Sequence, residues 1–205
     1  MTGSGLPQNR LNPLGSPHLG LGCAPIGDLY ERLTDAQAVA TVRRALELGI
    51  RLFDVAPRYG AGLAERRLGL ALRETGASEA LISTKVGWLL DSSGSARPDF
   101  SARGIIASLE SSLCRLGVEA VDLVHIHDPD LHLGSALEDA LPALLTLRDA
   151  GVIRAIGVGM NDNKLLSRFV ADTGIDYVLI AAGTRCWNNR RWSTCCRCAC
   201  GMASA

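Results

Sequence analysis

Neither sign of charge is in excess in this chain: 21 basic residues stand against 21 acidic ones, and the basic residues form no cluster. Such a balance leaves no electrostatic footprint for nucleic acid or for an anionic membrane surface. No uninterrupted apolar run approaches the ~18 residues that a spanning helix needs. Met1 to Arg10 contain Gly, Pro, Gln and Asn but no apolar stretch of the kind a secretory signal carries. A cytoplasmic protein is therefore expected. A length of 205 residues suffices for one domain with a sizeable core.

Cysteine is scarce until the last stretch. Cys23 and Cys114 stand alone in apolar surroundings and read as reduced core residues. The other five (Cys186, Cys195, Cys196, Cys198 and Cys200) crowd the final twenty residues, together with Trp187 and Trp192. Composition changes abruptly after Gly183. Three regions follow: a flexible N-terminal segment (1–18), a folded region (19–182) and a Cys/Trp/Arg-rich tail (183–205).

One unit recurs in the folded region: an amphipathic helix, a Gly with an apolar residue after it, then a strand. Leu48-Gly49-Ile50, Leu116-Gly117-Val118, Ala150-Gly151-Val152 and Gly174-Ile175 mark its four copies. A Gly just past a helix suits a left-handed cap. Thr34 with Gln37, and Ser135 with Glu138, have capping-box spacing at helix starts. Val39, Val42 and Leu46 form one helical stripe, and Ile105, Leu109 and Leu116 another. Pro142 is expected to kink its helix. Six strands are expected near 19–24, 51–55, 80–85, 121–127, 153–158 and 176–181, with helices near 35–48, 64–74, 102–116, 135–150 and 164–173.

Alternating strands and helices imply a parallel α/β sheet. A doubly wound sheet for dinucleotides would carry a phosphate turn with three glycines. Gly20-Leu21-Gly22-Cys23-Ala24-Pro25 and Gly157-Val158-Gly159-Met160-Asn161-Asp162 both lack the third. Polar residues at the C-terminal ends of several strands are instead the habit of a (β/α)8 TIM-type barrel. The expected fold is such a barrel, incomplete at about six of its eight units.

Those strand ends hold the chemistry. Asp54 and Tyr59 follow one strand, Lys85 closes Leu81-Ile82-Ser83-Thr84-Lys85, and His127 closes Val121-Asp122-Leu123-Val124-His125-Ile126-His127. A phenol ordinarily titrates near ~10, too high to exchange protons well at neutral pH. An adjacent ammonium stabilises the phenolate, and a carboxylate can hold that ammonium in place. An imidazole beside them can hydrogen-bond a substrate oxygen. Together they move a proton to or from an oxygen, and a nicotinamide-type cofactor has to handle the hydride. Taken singly, a loop Tyr, a solvated Lys or a turn-capping Asp is the ordinary reading; four in order at equivalent strand ends are not. His125 is expected to point away from the face of His127 and to be structural. Glu65-Arg66-Arg67 reads as the start of a surface helix, and Gly60-Ala61-Gly62 as a loop device.

Asp54-x-Ala56-x-x-Tyr59-Gly60, Lys85 after Ser83-Thr84, and Asp122-Leu123-x-x-Ile126-His127-x-Pro129 resemble the catalytic motifs of the aldo-keto reductase superfamily. The resemblance runs from about Leu19 to Ala182. Within the superfamily, Ala24–Tyr30, Tyr59–Gly69, Ile126–Asp130 and Ile156–Asn161 look most like the aldose 1-dehydrogenase, L-fucose dehydrogenase and pyridoxal 4-dehydrogenase branch. The resemblance implies an NADP or NAD cofactor across the barrel mouth and a sugar or small aldehyde as substrate. It makes Tyr59 the general acid/base, tuned by Asp54 and Lys85, with His127 orienting the carbonyl. It gives Asn161 the nicotinamide carboxamide, and Asp128 hints at a polar substrate.

The tail offers no helical or alternating period. Cys195-Cys196-x-Cys198-x-Cys200 raises a metal or redox module as one alternative, though without paired C-x-x-C spacing or a nearby His. A barrel remnant without catalysis is another. Six open strands would leave unpaired edges and an unfilled interior, so the chain is expected to be poorly stable and largely inactive. Two other readings of the tail itself are a disordered extension and a reading-frame shift: back-translated with GC-rich codons and read one base earlier, it becomes an amphipathic helix ending in Gly-Val. Sequencing the coding DNA across Gly183 should then reveal barrel sequence in another frame; confirmation of the present frame, with none downstream, removes the idea.

Overall fold

The computed structural model describes Leu14, residues 19–160, Asp162, Leu165, Leu166, Phe169 and residues 173–180. The expected helix at 164–173 falls largely outside the described residues, and the cysteine tail entirely so. The strands are β1 (Gly20–Gly22), β2 (Leu52–Asp54), β3 (Leu81–Val86), β4 (Trp88–Leu90), β5 (Ala96–Pro98), β6 (Val121–His127), β7 (Ile153–Met160) and β8 (Tyr177–Ile180). The helices are α1 (Asp35–Glu47), α2 (Leu63–Thr75), α3 (Ala102–Leu116), α4 (Leu133–Ser135) and α5 (Leu141–Asp149).

Six strands form one parallel sheet in the order β1-β2-β3-β6-β7-β8, while β4 and β5 make a separate antiparallel hairpin. Each strand of the sheet pairs with the next one in the chain, and the order never reverses. A doubly wound sheet reverses at a switch point; a (β/α)8 barrel does not. The architecture is an incomplete barrel of this kind. The hairpin is an addition that the expected elements did not include. Its signal was a short turn, Asp91-Ser92-Ser93-Gly94-Ser95. There Asp91 Oδ1 accepts from the backbone N–H of Ser93 (2.8 Å) and of Ser95 (3.0 Å).

Local chemistry explains the helix ends. Thr34 and Gln37 form the capping box expected of them, with Thr34 N–H donating to Gln37 Oε1 at 2.8 Å. Ser101 accepts from Gly104 N–H at 3.1 Å to start α3. The glycine between helix and strand takes the left-handed turn, as at Gly117 (φ 70°) and Gly151 (φ 77°). Pro142 lies at the start of α5, directly after a π-helical turn over Ala136–Ala140. A proline has no N–H for the carbonyl one turn back, and the wider turn absorbs that break. Ser135 caps nothing: the helix begins earlier, after His132, and Ser135 lies inside it.

The core lies between sheet and helices. Phe53, Ile82, Val124, Ile126, Ile156 and Val158 pack against Val39 and Val42 of α1, Leu68 of α2, Ile105 and Leu109 of α3 and Leu144 of α5. At the N-terminal ends of the strands, Leu14 packs with Leu81, Leu123, Ala155 and Tyr177, and its N–H donates to Tyr177 Oη at 3.3 Å. Among the described residues no helix is long and apolar enough to cross a membrane. Cys23 is fully buried, but Cys114 is exposed. Cys114 stands five positions beyond Leu109, about 140° round a 3.6-residue helix from the buried stripe.

The segment read as a surface helix start is largely internal. Arg66 is exposed, but Glu65 is fully buried and Arg67 is 6% exposed. Glu65 accepts from Thr84 Oγ1 at 2.8 Å and pairs with Arg115 of α3. Arg67 donates to Asp28 (2.6 Å), Asp35 (2.9 Å), the Ile26 carbonyl (2.8 Å) and the Leu33 carbonyl. Charges enter the interior here because each meets partners at once. Removing one partner should cost far more than removing an exposed charge. Glu65→Ala is expected to lower the unfolding free energy in denaturant by about 3 kcal/mol, from stranding Arg115 and Thr84, and Arg66→Ala by under ~0.5 kcal/mol. Equal effects of the two would refute the buried role of Glu65.

Candidate active site

Asp54 ends β2, Tyr59 lies in the turn that follows, Lys85 is the penultimate residue of β3 and His127 ends β6. The sheet therefore brings all four to its C-terminal edge. The register sets their depth: Asp54 pairs with Ser83, Lys85 with His125, and His127 with Gly159.

Lys85 is the most enclosed of the four, with only 1% of its side chain exposed. Its Nζ donates to Asp54 Oδ2 at 2.7 Å and to the Val55 carbonyl at 3.0 Å. It also stands 4.8 Å from the centroid of the Tyr59 ring. Tyr59 in turn meets His127 edge to face, with centroids 6.3 Å apart and planes at 85°. Tyr59 is held by its backbone. A Cβ on Gly27 would sit 2.8 Å from the Tyr59 carbonyl oxygen, and one on Gly60 would sit 2.3 Å from the Gly27 carbonyl oxygen. Only glycines allow the two chain segments to approach this closely, and Gly60 also has a φ of 61°.

His127 is buried, and its Nδ1 has no hydrogen-bond partner among the described residues. Burial pushes its pKa down to about 3, helped by the positive charges of Lys85 and Arg58. The imidazole is therefore neutral at physiological pH. An unpartnered lone pair costs less than an unpartnered N–H, which places the proton on Nε2. Nε2 faces Asp128, with Oδ2 at 3.7 Å.

A wall with no counterpart among the expected site residues flanks His127. The Trp88 indole N–H donates to the His127 carbonyl at 2.8 Å. The Arg58 guanidinium stacks over Trp88, 4.3 Å from the ring centroid, and pairs with Asp128 at 3.2 Å. Asp128 takes a φ of 47°, and burial raises its carboxyl pKa against the opposing pull of Arg58. The adjacency of Trp88 to the Lys85 strand end was the available signal.

His125 departs from expectation. Residues two apart in a strand share a face, so His125 and His127 point to the same side. His125 is 3% exposed, and its Nδ1 lies 3.2 Å from Ser83 Oγ, whose hydroxyl donates to Asp54 Oδ1 at 2.9 Å. Asn161 lies outside the described residues. Among the described residues no group of three or more His, Cys, Asp or Glu could hold a metal ion. A shallow cavity of about 290 Å³, lined by Arg43, Arg51 and Glu79 among others, is at the opposite, N-terminal end of the strands, away from the four residues.

Comparison with known proteins fits this arrangement. The family model described as Aldo/keto reductase family matches residues 18–199, reaching into the stretch read as tail. The chain is 38% identical over 188 residues to D-threo-aldose 1-dehydrogenase from a Pseudomonas species, covering 82% of the chain and 57% of that protein. It is 32% identical over 197 residues to pyridoxal 4-dehydrogenase from Microbacterium luteolum, covering 80% of the chain and 57% of that protein. The solved aldo-keto reductase of Bacillus halodurans, in its holo form, aligns with a TM-score of 0.70 at 26% identity, over 79% of the chain and 52% of that structure. The chain thus spans little more than half the length of these relatives. Motifs, strand order and relatives agree, and the chain belongs to the aldo/keto reductase family.

Proposed function

We propose that the chain carries the proton-transfer half of an aldo-keto reductase-type oxidoreductase, interconverting a carbonyl and an alcohol on a sugar or small aldehyde. The observation that supports this most is the buried Lys85 ammonium, fixed by Asp54 and the Val55 carbonyl and facing the Tyr59 ring. A lysine held in that way is poorly explained as a surface residue. Beside a phenol it is a device for stabilising phenolate.

In the carbonyl-reducing direction, Tyr59 gives its phenolic proton to the substrate oxygen, and Lys85 stabilises the phenolate left behind. His127 donates from Nε2 to the same oxygen and orients the carbonyl; being neutral, it does not compete as the proton source. In the reverse direction the Tyr59 phenolate takes the proton from the alcohol. Arg58 and Asp128 present opposite charges at the site's edge, suited to the hydroxyls of a sugar. None of these side chains can carry a hydride, and NADP or NAD, when bound, supplies or accepts it. Asn161, which follows β7 in the chain, is proposed to contact the nicotinamide carboxamide.

Whatever aldose oxidation the chain retains with NADP or NAD should fall further, by at least ~10³-fold in kcat, for Tyr59→Phe, with smaller losses for His127→Gln. Turnover that survives Tyr59→Phe within tenfold would overturn the assignment. Fluorescence quenching on titrating the chain with NADPH or NADH separates an oxidoreductase from a barrel that binds no cofactor.

The two buried imidazoles also predict a pH dependence of stability. Both pKa values are depressed from 6.5, His125 to about 4 and His127 to about 3, with burial the main cause in each. The unfolded chain binds these protons first, so the stabilisation is present above pH 6.5 and is lost as pH falls toward 4 and then 3. Melting temperature should drop across this window, and His127→Gln should flatten the drop. A melting temperature constant from pH 7 to 4 would contradict the neutral, buried imidazoles.

A further inference from the structure

Beneath Lys85 the interior holds a second polar line that the proton-transfer steps do not use. Ser83 lies two residues before Lys85 on β3, and His125 two residues before His127 on β6, so both face the same interior. Asp54 is gripped from two directions: Lys85 Nζ on Oδ2 at 2.7 Å and Ser83 Oγ on Oδ1 at 2.9 Å. A hydroxyl carries one proton, and that of Ser83 is committed to Asp54. Its oxygen, 3.2 Å from His125 Nδ1, must therefore accept, so the His125 proton resides on Nδ1.

Room is made for the imidazole on the next strand. Gly157 is the register partner of His125, and a Cβ there would stand 2.5 Å from His125 Cδ2 and 2.8 Å from Nε2. A buried polar ring, a seat cleared for it and a hydroxyl aligned with a carboxylate form a connected line across four strands. An apolar residue at 125 would fill the same space with no donor.

We propose that His125 and Ser83 are positioning residues for the Asp54–Lys85–Tyr59 group. The His125 N–H sets the Ser83 hydroxyl onto Asp54 Oδ1, which turns Oδ2 to Lys85 and tempers the carboxylate's charge. Lys85 then keeps more of its positive charge for the Tyr59 phenolate. The inference rests on the reading of Tyr59 as the group that ionises.

The surroundings leave the dipole of His125, rather than its charge, as the agent. Among the described residues, the ionisable groups around Asp54, Lys85 and Tyr59 are Cys23, following β1, His125 and His127 of β6, and Arg58 and Asp128 at the edge. Cys23 is a neutral thiol, pushed up to about 12 by burial and by Asp54. Both imidazoles are neutral above pH 5. Among the described residues, Arg58 and Asp128 add charge at the edge, opposing each other at 3.2 Å, with Asp130 acting on Asp128 from beyond it.

The test is an ultraviolet absorbance titration of tyrosinate in the purified chain. Each variant is measured against the same variant carrying Tyr59→Phe, so that Tyr30 and Tyr177 cancel. Ser83→Ala and His125→Leu should each move the Tyr59 difference signal upward by about half a pH unit or more. His125→Asn, whose amide can donate from nearly the position of Nδ1, should stay within about 0.2 unit of the parent. Unchanged midpoints in Ser83→Ala and His125→Leu, with or without a lower melting temperature, would overturn the proposal, as would an Asn variant that shifts like Leu. Should His125→Leu fail to fold, Ser83→Ala and His125→Asn still decide. The readout needs no turnover, so a failure of Tyr59 as the catalytic acid would appear separately, in the Tyr59→Phe kinetics.

Discussion

A lysine ammonium with 1% of its side chain exposed is tolerable only if its charge is matched, and Asp54 does this at 2.7 Å. Burying either charge alone would cost several kcal/mol. The pairing constrains the rest of the site. Asp54 must be the last residue of β2 and Lys85 must lie two residues past Ser83, its register partner on β3, which the parallel pairing provides. With the ammonium fixed, a phenol on the turn after β2 can sit against it, and an imidazole at the end of β6 can complete the group.

The supports sit one layer out. Thr84, beside Lys85, points to the opposite face of β3 and is tied to Glu65 and through it to Arg115, which anchors the strand to α2 and α3. Arg67 gathers Asp28, Asp35 and two carbonyls of the β1–α1 connection. That connection carries Gly27, which packs on the Tyr59–Gly60 backbone. Buried charge thus recurs at three levels, each satisfied by neighbours distant in sequence.

This explains what could be read from the sequence. The strand ends, helix–Gly–strand units and the Asp54, Tyr59, Lys85 and His127 motifs depend on local pattern, and they were visible. The sequential strand order followed from the absence of a phosphate turn and the polar strand ends. Glu65 and Arg67 were misread because charge implies surface unless partners are known, and theirs lie on other elements. Cys114 was misread because an apolar neighbourhood in sequence is not one face of a helix. The placement of His125 is legible in the sequence alone, because strand periodicity puts residues 125 and 127 on one face. The roles of Trp88 and Arg58 depended on a hairpin whose turn signal was short.

Asp54 and Lys85 behave as one coupled unit on which the site depends. A double-mutant cycle in denaturant, using Asp54→Asn, Lys85→Met and the double variant, tests it most directly. The account predicts that each single change is strongly destabilising and that the double variant recovers part of the loss, with a coupling of about 2 kcal/mol or more. Additive effects, with coupling under ~0.5 kcal/mol, would contradict it.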